Sequence, residues 1–264
     1  VAALLDAHPA LASARGTLPG NVGARTALHF GSGHADVVRL LLARGADPNV
    51  RDEGDDATPL HFAAERGDLA VVRLLVEHGA DPVGEGTFHA LNVLGWATVL
   101  GRAGDDVVAY LLAHGARHDV FSAAATGDAD ALRRIAAADP EAVARRLTPP
   151  HAGWTALHVA VAKRRPAAVA ALLASGADPD AADAAGLTPL DLAALDGDDA
   201  LARTLLDGGA TLRVPAAVGL GWMDDVARLL GDEPDALRPG ARWGTLIVRA
   251  AERAPGRVIA ALLD

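Results

Sequence analysis

The feature that most restricts this chain is that it repeats itself. Thr58-Pro59-Leu60-His61-Phe62-Ala63-Ala64 returns as Thr155-Ala156-Leu157-His158-Val159-Ala160-Val161 and, 33 residues after that, as Thr188-Pro189-Leu190-Asp191-Leu192-Ala193-Ala194. A second signature closes the unit at Gly45-Ala46-Asp47-Pro48, Gly79-Ala80-Asp81-Pro82 and Gly176-Ala177-Asp178-Pro179, with shorter forms at Gly115-Ala116 and Gly209-Ala210. Such a period means that one small supersecondary unit is used again and again. A unit of this size cannot bury its own apolar face, so each must stack on its neighbours.

Each position has a physical task. Thr58 is suited to cap a helix, and Pro59 to the first helical position, where no amide donor is needed. Leu60, Ala63 and Ala64 make an apolar stripe at helical spacing, and the small alanines let neighbouring helices approach. Gly67 can take the left-handed conformation that ends this short helix. Leu69 to Glu77 predicts a second amphipathic helix with Val71, Val72, Leu74 and Leu75 inward, ended by Gly79 and barred from continuing by Pro82. Pro82 to Ala90 then runs out as an extended finger.

On these motifs the chain resembles the ankyrin-repeat family, strongly from Thr26 to Arg213 and more weakly outside. The resemblance implies an all-α fold, a solenoid of stacked helix-turn-helix units with short finger loops. It implies one array over residues 1–264 with roughly eight helix pairs. The units fall near 1–25 (partial), 26–57, 58–91, 92–117, 118–154, 155–187, 188–212, 213–243 and 244–264 (partial).

The copies are not uniform. Thr26-Ala27-Leu28-His29-Phe30-Gly31-Ser32-Gly33 is two residues short, so its first helix is expected to be clipped or distorted. The copy at Asn92-Val93-Leu94-Gly95-Trp96-Ala97 lacks the His and carries about three extra residues before Gly104. Val120 to Asp128 keeps the helix but replaces the capping sequence, and it parallels Val214 to Trp222. In both blocks an acidic-Pro pair, Asp139-Pro140 or Glu233-Pro234, ends the second helix, and a longer connection leads to Trp154 or Trp243. Val1 to Leu11, with His8-Pro9, looks like the end of the same block, and Ser13 to Arg25 like its long connection. The incomplete ends, rich in Ala and Leu, are expected to fray or to need flanking sequence, since the chain opens and stops in what reads as mid-helix.

Composition narrows the function classes. Half the residues are apolar, but only 3% are aromatic, which suits closely packed short helices better than a β-sandwich. No run approaches the ~20 apolar residues of a membrane helix, and no signal peptide is visible. Absence of cysteine excludes disulfides and thiolate metal sites and is compatible with a reducing cytoplasm. A charge of −10 argues against binding to phosphate backbones, so no nucleic-acid partner is expected. Lys163 is the only lysine among 24 basic residues, a bias that points to a GC-rich, bacterial genome.

Side chains capable of chemistry are few. His29, His61 and His158 share the fourth motif position but lie in different repeats, too far apart for one ion. Each imidazole is expected to bond its capping Thr and the adjacent repeat. His114 and His118 have a metal-ligand spacing, but Gly115 between them should end the helix. Asp52, Glu53, Asp55 and Asp56 read as a solvated acidic finger tip, not as a catalytic pair, which needs two unequal environments. No phosphate loop ending in Gly-Lys-Ser/Thr and no Gly-x-Ser-x-Gly elbow occurs. The expectation is therefore no enzyme, no cofactor and no metal.

What remains is recognition. Ankyrin-repeat proteins bind partners along the concave side through finger tips and the exposed ends of the first helices. Carried over, that surface comprises Arg51, Glu53, Glu65, Arg66, Trp154, Lys163, Arg164, Arg165, Ala182, Asp183, Asp196 and Trp243. Trp154 and Trp243 are either interface anchors or covers for the preceding loop. Arg133 to Arg165 holds seven basic and two acidic residues, a net of +5 that leaves −15 for the rest. That middle could steer an acidic partner segment. The plainer reading, that the arginines solvate outer faces and loops, is preferred. The expected function is a monomeric protein-interaction scaffold; the alternative is the recognition part of a longer enzyme whose catalytic domain lies outside this chain.

Overall fold

The computed structural model describes residues 1–17, 23–85, 87–101, 103–148, 151 and 153–232. It divides into two compact units, Val1–Ser122 and Ala123–Asp264. Both are helical. The strands among the described residues are two two-residue segments, Arg15–Gly16 paired antiparallel with Arg25–Thr26.

In the first unit, helix Ala2–Ala7 is followed by a 3-10 turn, Pro9–Ser13, as the His8-Pro9 stop predicts. The same pairing recurs in the second unit as Ala129–Ala138 and the 3-10 turn Pro140–Ala144. Val1 and Leu4 are exposed while Leu5 is buried. The clipped copy is a 3-10 turn, Ala27–Phe30, ahead of helix Ala35–Ala43. Two residues fewer leave no room for a full α-turn, so the tighter helix is used.

The regular hairpin is Pro59–Glu65 followed by Leu69–Glu77, with Leu60, Ala63, Ala64, Val71, Val72, Leu74 and Leu75 buried. Asp68 caps the second helix by accepting the Val71 amide at 3.2 Å. In the following copy Val93–Gly95 runs into a π-helical turn, Trp96–Leu100, before helix Asp105–Ala113. The wider turn absorbs the extra residues. Gly101 then passes so close to the preceding hairpin that a Cβ would lie 2.2 Å from the Glu65 carbonyl oxygen.

The second unit contains the hairpins Ala156–Ala162 with Pro166–Ala174, Pro189–Leu195 with Asp199–Asp207, and Val214–Leu220 with Met223–Asp232. Helix Val120–Thr126 spans the boundary between units in sequence. Its replaced cap is Asp119, whose carboxylate accepts the Ser122 amide at 2.6 Å while the Ser122 hydroxyl accepts the Asp119 amide at 2.9 Å.

Stacking is reinforced at the loops. Asn49 donates to the Gly79 carbonyl at 2.8 Å and accepts the Asp81 amide at 2.7 Å. Asp180, the equivalent residue in the second unit, accepts the Thr211 amide at 2.8 Å and its hydroxyl at 2.6 Å.

Candidate protein-binding face

The frame beneath this face is a Thr–His pair used three times. The Thr26, Thr58 and Thr155 amides donate to Nδ1 of His29, His61 and His158 at 3.1, 3.1 and 3.2 Å. The opposite ring nitrogen reaches the next finger, bonding the carbonyl of Ala57, Gly84 or Leu187 at 3.2, 2.8 and 3.1 Å. A carbonyl only accepts and an amide only donates, so Nε2 must carry the proton and Nδ1 the lone pair. Burial lowers the pKa of all three imidazoles, that of His61 to about 4. With both nitrogens committed, these histidines join one repeat to the next. Among the described residues no group of three or more His, Cys, Asp or Glu side chains is placed to hold a metal ion.

The third motif carries Asp191 instead. Its carboxylate accepts from the Thr188 amide at 2.9 Å and hydroxyl at 3.0 Å, but it cannot donate onward. Arg213 therefore comes in from the following finger and pairs with it. Burial still raises the Asp191 pKa, against the opposing pull of Arg213.

The acidic finger departs from the expected solvated tip. Asp52 is buried, and its carboxylate accepts the Ala57 amide at 2.8 Å and Arg25 Nε at 2.9 Å. Burial alone would raise its pKa; the amides of Ala57 and Asp55 and the Arg25 guanidinium outweigh that and hold it low. Arg25 also reaches Asp55 at 2.7 Å and lies 4.4 Å over the Phe62 ring. A tight turn exposes backbone amides, and a buried carboxylate is the cheapest way to satisfy several at once. The tip is thus a built structure, with the remaining charge at its rim.

Rings run beside it. Phe62 meets Trp96 edge-on at 5.2 Å, and His61 and His89 each meet Trp96 at 5.3 Å. His89 Nε2 stands 3.3 Å from Asp55 Oδ1. Glu65, half-buried at the end of the first helix, has its pKa raised chiefly by burial.

The residues carried over from the sequence divide into two groups. Some serve the frame. Arg51 bonds the Asp56 carbonyl at 2.6 Å and the Glu85 carbonyl, tying two fingers together. Trp154 donates from Nε1 to Asp183 at 3.1 Å, lies tilted against the His151 ring and stacks on His158. Asp183 also accepts the Ala185 and Leu187 amides, at 2.8 and 2.9 Å. Arg165 donates to the Ala125 carbonyl at 2.9 Å and packs beside Gly127. Ala182 receives Arg146 on its carbonyl at 2.7 Å.

Others lie at the rim. Glu53, Arg66, Arg164 and Asp196 are exposed, and Lys163 is partly exposed. Trp243 lies outside the described residues. Arg164 has φ of 55°, in the slot held by glycine at Gly67, Gly127 and Gly197, and its guanidinium bonds the Asp196 carbonyl at 3.1 Å. Sequence reasoning passed over Arg25, the Asp helix caps and Phe88. The caps had a signal, the recurring Gly-Asp pairs at Gly67-Asp68, Gly127-Asp128 and Gly197-Asp198. Arg25 had none beyond standing before Thr26.

Comparison with known proteins agrees with the geometry. The model of ankyrin repeats in three copies matches residues 27–122 and again 120–215. Human ankyrin repeat and SOCS box protein 16 is 33% identical over 223 residues, 83% of this chain and 44% of that protein. The E3 ubiquitin-protein ligase XB3 of Oryza sativa subsp. japonica is 41% identical over 98 residues, 37% of this chain and 21% of the ligase. A putative ankyrin repeat protein of Pyrobaculum aerophilum is 48% identical over 52 residues, 20% of either chain. The chain thus spans less than half the length of these relatives. Repeated Thr–His links, helical hairpins and a match over most of the described residues lead to one conclusion: the chain belongs to the ankyrin-repeat family.

Proposed function

We propose that this chain binds a partner protein along its finger tips and first-helix ends, and that it does no chemistry itself. Ankyrin repeats are protein-interaction modules. One observation carries the assignment of the surface. The residue just after the first helix is Arg66, Lys163 or Asp196 in three copies with the same seven-residue first helix, and it is exposed at Arg66 and Asp196 and partly exposed at Lys163. Like helices presenting different charges at one position are what selective recognition requires. The histidines, the obvious candidates for acid–base work, have both ring nitrogens engaged in the frame.

In the second unit the partner segment is acidic and lies opposite Lys163 and Arg164. Arg133 and Arg145 of the basic stretch are paired closely with Asp130 and Asp139, at 2.6 and 2.5 Å, whereas Arg164 stands 3.9 Å from Asp198, the loosest of the three pairs. Affinity capture from the native host with the full chain tests this. Lys163→Glu with Arg164→Glu should reduce capture about tenfold, the usual scale of a contact worth 1–2 kcal/mol. Arg165 is left untouched because it holds Ala125. Capture undiminished by the reversal would reject this surface.

A second reading is favoured by the rice relative named as an E3 ubiquitin-protein ligase, of which the matching segment is a fifth. The chain would then be the recognition part of a longer enzyme. The full open reading frame on both sides of Val1 and Asp264 decides between the two.

A further inference from the structure

Building on the protein-binding reading above, we propose that the finger edge of the first unit takes a basic segment of the partner, with an apolar side chain of that segment seated against Phe88. Large apolar side chains are normally withdrawn from water. Phe88 is 64% exposed, the most exposed aromatic residue described. It is also fixed in place. Its amide donates to the Asp55 carbonyl of the neighbouring finger at 3.0 Å. The Thr87 hydroxyl donates to the Leu91 carbonyl at 2.7 Å, and the Ala90 amide closes the turn on the Thr87 carbonyl at 3.0 Å. Ala90 has φ of 56°, a conformation that a residue with a Cβ adopts at a cost of about 1 kcal/mol. The next residue before it, His89, is held on Asp55 and against Trp96. A strained turn braced on both flanks thus projects one aromatic ring, so little ordering entropy is lost when a partner covers it.

Charge selects the partner. Residues 51–57 and 81–90, the two fingers, contain six acidic residues and one basic one. Arg25 takes Asp52 and Asp55, and Arg51 takes Asp56. Glu53 stands 3.7 Å from Arg15 and accepts the Ala24 amide at 3.2 Å, yet it is exposed, as are Asp81 and Glu85. The rim field is therefore negative. It repels nucleic acid and anionic lipid and attracts lysine- or arginine-bearing polypeptide. An exposed aromatic ring beside that field supplies the apolar contact that charge alone lacks.

A randomised short-peptide library displayed on phage, selected on the full chain, is the probe. Recovered peptides are then synthesised with a fluorescent label, and their affinities measured by anisotropy at low and physiological salt. The expected peptides are net positive with an apolar residue and bind more weakly as salt rises. Phe88→Ser and the pair Glu53→Lys with Glu85→Lys should each weaken binding about tenfold, while Phe88→Tyr retains it. The unfolding midpoint is measured alongside and should not move for Phe88→Ser or for Glu85→Lys alone. The pair loses the Glu53 bonds to the Ala24 amide and Arg15, so Glu85→Lys alone serves as the control, with the same direction of effect on binding. Neutral or acidic peptides, no recovered peptide, or affinity unchanged by Phe88→Ser would overturn the proposal. If the recovered peptides instead respond only to Lys163→Glu with Arg164→Glu, the broader protein-binding reading survives and this one does not. Indifference to both sets of changes removes both.

Discussion

His61 and Asp191 hold the same place in their repeats and solve the same problem in opposite ways. His61 is neutral, accepts from its own capping Thr58 and donates to the Gly84 carbonyl of the following finger. Asp191 accepts from Thr188 but has nothing to donate, so the following finger supplies Arg213. One link is a chain of neutral hydrogen bonds; the other is an ion pair whose carboxylate is 1% exposed. A neutral link needs no charge taken out of water. The ionic one carries a desolvation penalty that only an intact partner offsets. The lesson is that the family's motif is a requirement for a bridge, and the chemistry of the bridge is free to change if both ends change together.

The largest expected effect follows from removing one end. Arg213→Ala leaves the Asp191 carboxylate buried without compensation and should lower stability by about 3–5 kcal/mol. The double change Arg213→Ala with Asp191→Asn should recover much of that loss. Urea unfolding of the full chain followed by far-ultraviolet circular dichroism measures both. Equal losses in the single and double variants would mean that the pair is not coupled.

Acid should separate the two links in opposite senses. The folded His61 pKa, about 4, lies below its ordinary 6.5, so folding favours the neutral ring. Its contribution is complete above pH 6.5 and is lost as pH falls toward 4. The full difference corresponds to about 3 kcal/mol. His29 and His158 are shifted in the same direction. Asp191 is shifted the other way, so its contribution is present in acid and is lost as pH rises through its folded value. Hydrogen exchange compared at pH 7 and pH 5, after correction for intrinsic rates, should show residues 58–91 losing protection and residues 188–213 losing less. Uniform loss across both segments would contradict the distinction.

The smallest effect concerns Arg164. It occupies a left-handed position where Gly67, Gly127 and Gly197 relieve the same strain. Relief of about 1–2 kcal/mol exceeds the added freedom of glycine in the unfolded chain, about 0.5–1 kcal/mol. Arg164→Gly should therefore raise stability by about 0.5 kcal/mol, read from the same unfolding curves. A lower midpoint would show that the bond to the Asp196 carbonyl matters more than the strain.

Much of the fold was readable because its signals are local. Thr58 and Pro59 start a helix, Gly67 ends it, and the second helix Leu69–Glu77 has the expected bounds and inward residues. The two-residue deletion after Thr26 announced a clipped helix, and the structure has a 3-10 turn there. The insertion before Gly104 gave length without form, since a π-helical turn and a longer loop accommodate extra residues equally well in sequence. The proposed binding face was readable only as a set of positions. Nothing local distinguishes Arg165, which holds the Ala125 carbonyl, from its neighbour Arg164 at the rim.

What the sequence determined by itself is the repeat: where helices begin and end, which side chains face inward, and that histidines join successive units. These follow from capping, periodicity and backbone preference, all of which act within a few residues. Only the tertiary structure decided which charges are buried in the frame and which are left exposed. Asp52 and Glu53 are adjacent in the chain, yet one is sealed beneath Arg25 and the other faces water. That division depends on which groups are brought close across a repeat's length of chain, and Coulomb energy and desolvation respond to distance in space, not along the sequence.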